Sequence, residues 1–146
     1  MRQISHTVLS RGIPSNYSID FNTFDANLWA DVLTQFKDSN LYQTWPYGEV
    51  RWGRQNLNHV VLNQNQQPVA GAQIRLVKLP LVKSGIAYVT WGPFWCRKFH
   101  GKNPDHFRLI IRVLKNIYVD YHKMFLRVLP SVFNEIEVFD KIMEEE

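Results

Sequence analysis

The sequence has one cysteine, Cys96, in 146 residues, so no disulfide can form within the chain and a disulfide-built secreted scaffold is excluded. His6, His59, His100, His106 and His122 are scattered, no His/Cys group has metal-ligand spacing, and no metal is assigned. No run approaches the roughly 18 apolar residues of a membrane span, and Met1 to Ser10 has no signal-peptide apolar region. These absences point to a cytoplasmic protein, soluble or at most peripheral. Seven glycines and seven prolines are too few for low complexity. What is present is bulk: 45% hydrophobic residues with five Trp, six Tyr and nine Phe, enough for one domain with a packed core.

The net charge of +4 hides an asymmetry. Between Arg51 and Arg127 stand thirteen Lys or Arg and two acids, Asp105 and Asp120, a net +11. Such a segment attracts phosphate, pyrophosphate or a nucleic-acid backbone, although the same residues also serve as ordinary solvated faces.

Periodicity sets the expected elements. Thr23 to Asp38 spaces Phe24, Leu28, Val32 and Phe36 four apart with Leu33 beside them, which predicts a helix with one apolar face, capped by Asp25 or Thr23. A second short helix is predicted from Pro46 to Gln55. Strands follow at Asn58 to Asn63, at Val69 to Leu79 and at Ile86 to Trp91, with a polar turn at Gln64 to Pro68 and a stop at Gly92-Pro93. In the second strand Ala70, Ala72, Ile74 and Leu76 share one side, and Gln73 and Arg75 the other. Asn103-Pro104 opens an amphipathic helix on which Phe107, Ile110, Ile111, Leu114, Ile117, Tyr118 and Tyr121 form one face. A strand at Phe125 to Leu129 and a helix from Phe133 to Met143 complete the order ααβββαβα; the acids Glu144 to Glu146 oppose the last helix's dipole and predict fraying. The fold class is α+β, an antiparallel meander packed with amphipathic helices in one pair of layers.

That order resembles the first part of the GNAT N-acyltransferase fold. Four segments narrow the likeness: Gln43-Thr44-Trp45-Pro46-Tyr47-Gly48-Glu49-Val50-Arg51, Val69 to Ile74, Leu79-Pro80-Leu81, and Ala87 to Pro93. Together they are similar to the N-terminal half of the Fem-type branch, which includes the aminoacyltransferases that build peptidoglycan bridges. The resemblance implies transfer of an acyl or aminoacyl group, from acyl-CoA or aminoacyl-tRNA, to an amine on a nucleotide- or lipid-linked peptidoglycan precursor. It also implies that the chain is the N-terminal portion of a longer architecture, partnered by a second GNAT-like half or another copy.

By that resemblance Gln43 and the short helix line the acceptor site, and Arg51, eight positions after Gln43, meets phosphate. An Arg there presents a planar fork that can engage phosphate through two hydrogen bonds. Arg54 is expected on the same helix face, Trp45 and Tyr47 as walls of the pocket, and Trp91 at a strand end beside it. The catalytic base is not identified; Glu49 and Asp105 are the acids near the implied site, and Cys96 has no base to pair with in the sequence. An ordinary GNAT enzyme receives the acetyl-CoA pyrophosphate on a glycine-spaced loop before a helix. Here Gly12, Gly48, Gly53, Gly71, Gly85, Gly92 and Gly101 are too far apart to build one. That departure keeps open a non-catalytic binding domain with a basic phosphate-binding surface. A sequence-independent RNA-binding domain is a third reading, without a recognisable RNA motif to support it.

Overall fold

A computed structural model describes residues 3–131 and 136–146. A five-stranded sheet runs in the order β1-β2-β3-β4-β5, formed by Tyr17–Phe21, Leu57–Gln64, Gln67–Lys78, Gly85–Thr90 and Phe125–Leu129. The first four strands are antiparallel to their neighbours, and β5 is parallel to β4. The helices are α1 (His6–Leu9), α2 (Ala26–Thr34), α3 (Trp45–Trp52), α4 (Pro104–Leu114) and α5 (Ile136–Glu145). The predicted meander is present as β2 to β4. Absent from the prediction are α1 and β1. Tyr17, Ile19 and Phe21 alternate with Ser18 and Asp20 over only five residues, too short a pattern to stand out before its pairing with β2 is known.

The sheet is a middle layer, covered on both faces rather than one. Val60, Leu62, Ala70, Ala72, Ile74, Leu76, Ala87 and Val89 pack with α4, Leu9 and Ile142. The opposite face buries Val61 and Phe94 beneath Trp29, Val32, Leu33, Phe36 and Trp45. Gln73, expected on an outer side, is therefore enclosed at 2% exposure. The β2–β3 turn narrows to Asn65 and Gln66, both with positive φ (49° and 65°), the hand that matches strand twist; Gln67 and Pro68 belong to β3.

Two helix expectations change. Asp25 does cap α2, its carboxylate accepting from Leu28 N at 2.8 Å, but Leu28 is 53% exposed and the buried face carries Trp29, Val32 and Leu33. A Trp ring removes roughly 150–250 Å² from water, more than Leu28 offers, and Trp29 Nε1 also donates to the Gln43 carbonyl at 2.8 Å, fixing the helix rotation. Phe36 is buried beyond the helix end, where it bridges Arg97. Helix α3 stops at Trp52, not Gln55, because Gly53 turns at φ 82° into a short 3₁₀ turn, Arg54–Asn56.

Helix α4 begins as predicted: Asn103 Oδ1 accepts from Asp105 N at 3.1 Å, and Pro104 occupies the first turn. Its apolar residues are buried, and Leu109 and Val113 join them. After Leu114 the helix widens into a π-helical segment, Lys115–Tyr121, which carries Asn116 inward to donate to the Arg11 carbonyl at 2.9 Å. Phe133, the expected start of the last helix, lies outside the described residues. The acidic end of α5 does not fray in the structure. Arg108 pairs with Glu145 at 2.9 Å, and Arg112 Nε donates to Glu146 Oε2 at 3.0 Å while another guanidinium nitrogen donates to the Gly12 carbonyl at 2.7 Å.

Arg112 thus ties three segments together. Replacing Arg112 with Ala is expected to cost about 1–3 kcal/mol, read as a lower urea midpoint with an unchanged slope. Glu146→Gln is expected to cost less, because the Gly12 contact survives.

Candidate functional site

The site begins where β3 and β4 part. Their ladder pairs Lys78 with Gly85 through to Arg75 with Tyr88, and the next rung would join Gln73 and Thr90. The Gln43 side chain stands there instead: Oε1 accepts from Gln73 N at 2.8 Å, and Nε2 donates to the Thr90 carbonyl at 2.8 Å. Asn40 Nδ2 donates to the Trp91 carbonyl at 2.6 Å, and the chain rejoins β3 at the Gly71–Phe94 bridge. Further along, Trp95 N and Cys96 N donate to the Asp38 carboxylate at 2.8 and 3.0 Å. Burial raises the Asp38 pKa, and these N–H bonds oppose the rise. Glycine is required where the layers meet: a Cβ on Gly48 would lie 2.6 Å from Gln73 Nε2, and one on Gly92 would lie 2.9 Å from the Gln43 amide carbon.

Gln73 extends the polar chain to His59. Gln73 Nε2 donates to the carbonyls of Thr44 (3.0 Å) and Tyr42 (3.3 Å), so its oxygen faces His59 Nε2 at 2.9 Å. The imidazole must therefore carry its proton on Nε2, which leaves Nδ1 as a lone-pair acceptor. The ring is stacked on Trp45 at 4.2 Å and met edge-on by Trp29 at 4.5 Å. Burial pushes its pKa down to about 4, with the Gln73 hydrogen bond acting in the opposite direction.

Outside this polar layer, α2 and α3 flank an open cavity of about 630 Å³. Ala26 and Ala30 leave room opposite Trp45, Tyr47 and Val50, and the exposed Arg51 is also among the lining residues. Tyr47 meets Tyr42 and Trp52 edge-on at 5.1 and 5.5 Å, and Tyr42 meets Trp91 at 6.2 Å. Trp45, Tyr47, Arg51 and Trp91 therefore come to one side of the molecule. Gln43 is fully buried beneath them, its amide committed to the two strands. Arg54 does not share a face with Arg51. The break at Gly53 places it over the Trp45 ring at 5.6 Å, beside a separate recess of about 190 Å³ with His59 and Phe24.

Glu49 is exposed on α3, and Asp105 lies in the first turn of α4, outside the cavity lining. Cys96 is buried at 5% exposure. The basic segment is also divided rather than presented as one face. Arg108, Arg112 and Lys115 have acidic partners, while Arg54, Arg75 and Arg127 lie over Trp45, Trp52 and Tyr88. The His59–Gln73 pair escapes sequence reasoning, its one signal being a polar residue facing inward on each of two adjacent strands.

No protein-family model matches the chain, and no curated protein matches it. Solved structures are similar in fold. A possible acetyltransferase from Clostridium difficile 630 superposes with a TM-score of 0.56 at 9% identity, covering 86% of this chain and 89% of that one. A GCN5-related N-acetyltransferase from Ralstonia eutropha JMP134 gives 0.54 at 10% identity, covering 86% and 90%. A predicted acetyltransferase from Clostridium acetobutylicum, solved with acetyl-CoA, gives 0.50 at 12% identity, covering 85% and 88%. At such identities the likeness is one of fold, and the chain has the fold of the GCN5-related N-acetyltransferases.

Two outcomes follow from the buried polar layer. His59 binds a proton less readily folded than unfolded, so its contribution to stability is complete above pH 6.5 and is lost as pH falls towards 4. That loss amounts to about 3 kcal/mol, and His59→Gln should flatten this limb in urea melts taken across the range. Gly48→Ala should cost about 1–3 kcal/mol by forcing the Gln73 amide aside, with the Tm falling accordingly.

Proposed function

We propose that the chain is an N-acyltransferase domain whose amine acceptor lies in the cavity between α2 and α3. The observation that carries this reading is an apolar cavity that has the exposed Arg51 of α3 among its lining residues. Such a cavity suits an acceptor with a hydrocarbon or aromatic part and a phosphate or carboxylate. A lipid- or nucleotide-linked peptidoglycan precursor has that chemistry, and Thr44, Trp45, Pro46, Tyr47, Val50 and Arg51, from the segment that resembles Fem-type aminoacyltransferases, form one wall of the cavity. Acyl-CoA is the donor favoured by the fold, with aminoacyl-tRNA as the alternative carried by the Fem-type resemblance. In the longer Fem-type architecture a second GNAT-like unit would help to complete the donor site.

A second reading, a phosphate-binding domain without catalysis, is favoured by the start of α4. There Asn103 occupies the Asp105 N–H and Asp105 puts an acid in the first turn of the helix, where an incoming pyrophosphate would meet like charge.

Titration calorimetry with a lipid-linked precursor tests the acceptor assignment. Arg51→Ala is expected to weaken binding about tenfold or more, and Arg51→Lys to restore part of it. Ala30→Phe should abolish binding by filling the cavity without removing charge. Unchanged affinity in both Arg51→Ala and Ala30→Phe would overturn the assignment. Acyl transfer from acetyl-CoA to an amine separates the catalytic reading from binding alone.

A further inference from the structure

Three large apolar side chains face water at one end of the sheet, where β3 turns into β4 and β5 begins. Leu81 is completely exposed, Phe125 is 69% exposed and Val82 is 59% exposed. Leu81 has a left-handed backbone, φ 68°, within the connection between the two strands. The Ser84 hydroxyl donates to the Lys123 carbonyl at 2.9 Å, and Ile86 pairs with Phe125 across the parallel ladder. The turn and the start of β5 are thus held together, and their apolar side chains belong to one end of the molecule.

Lys78, Lys83 and Lys123 surround this tip, all exposed, and none has a carboxylate partner among the described residues. The contrast with α4 is direct, because Arg108 and Arg112 there are neutralised by Glu145 and Glu146. Exposed apolar bulk ringed by unpaired positive charge favours a surface that is hydrocarbon inside and anionic outside. A second copy fits poorly, since face-to-face contact would set one lysine ring against another.

We propose that this tip docks the protein on an anionic lipid bilayer. Leu81, Val82 and Phe125 enter the interfacial layer, and Lys78, Lys83 and Lys123 meet the headgroup phosphates. Each lysine close to such a surface is worth roughly a fivefold gain in partitioning. The contact is therefore screened by salt.

Cosedimentation of the chain with phosphatidylcholine vesicles, with and without phosphatidylglycerol, tests this. Binding is expected to the anionic vesicles only and to fall as sodium chloride is raised. Leu81→Asp combined with Val82→Asp should lower partitioning by about tenfold or more, and Lys78→Glu combined with Lys83→Glu should do the same. Both pairs should keep the wild-type Tm, because the altered side chains lie outside the core. Equal binding to the two vesicle types overturns the proposal, as does wild-type binding by the Leu81/Val82 variant. A dimer at sedimentation equilibrium that Leu81→Asp dissociates also overturns it, by assigning the patch to contact between copies.

Discussion

The face of the sheet that carries the candidate site depends on one side-chain amide standing where a peptide group would otherwise be. Gln43 supplies an acceptor to Gln73 N and a donor to the Thr90 carbonyl, so two buried backbone groups stay satisfied although β3 and β4 have parted. Each would cost about 1–3 kcal/mol if left bare. Asn40 and Asp38 continue the device, meeting the backbone of Trp91, Trp95 and Cys96 in turn. The segment from Asp38 to Gln43 therefore works as a polar seam along the strand that has left the ladder. Because the Gln43 carbonyl also accepts from Trp29, the seam fixes where α2 lies and which way it is turned.

The same seam accounts for the chemistry beneath the cavity. Gln73 cannot rotate, because its nitrogen is held by Tyr42 and Thr44 on the turn into α3 and its backbone N–H by Gln43. Its fixed orientation decides the tautomer of His59, and the Trp45 and Trp29 rings keep that imidazole neutral by excluding water. Trp45 thus serves two neighbours at once, as a wall of the large cavity and as the lid on a buried base. Arg51 and Arg54 fall on different recesses for a local reason: Gly53 ends the helix between them.

Much of the fold was legible in the sequence. The long alternation from Val69, the β-branched run at Ile86 and the three-four spacing after Asn103 each report which apolar residues of an element share a side, which periodicity encodes directly. Strand β1 was not legible, because five alternating residues gain meaning only from pairing with β2. The rotation of α2 was misleading for a related reason. A four-residue spacing fits Leu28, while the sheet selects Trp29 through its larger ring and its indole hydrogen bond. The site was legible in part: Trp45, Tyr47, Arg51 and Trp91 gather on one side, whereas the burial of Gln43 and the pairing of His59 with Gln73 arise between segments distant in the chain.

By itself the sequence determined the three-stranded meander, that the middle of the chain is basic, and that a capped amphipathic helix follows the meander. Those are properties of neighbours along the chain, and local propensity and spacing decide them. Only the tertiary structure decided how the positive charge is shared, with arginines set against carboxylates and aromatic rings while Lys78, Lys83 and Lys123 remain around an apolar tip. It also decided that a glutamine amide replaces a rung of the sheet. Both depend on which groups burial deprives of water, and that is settled when distant segments pack.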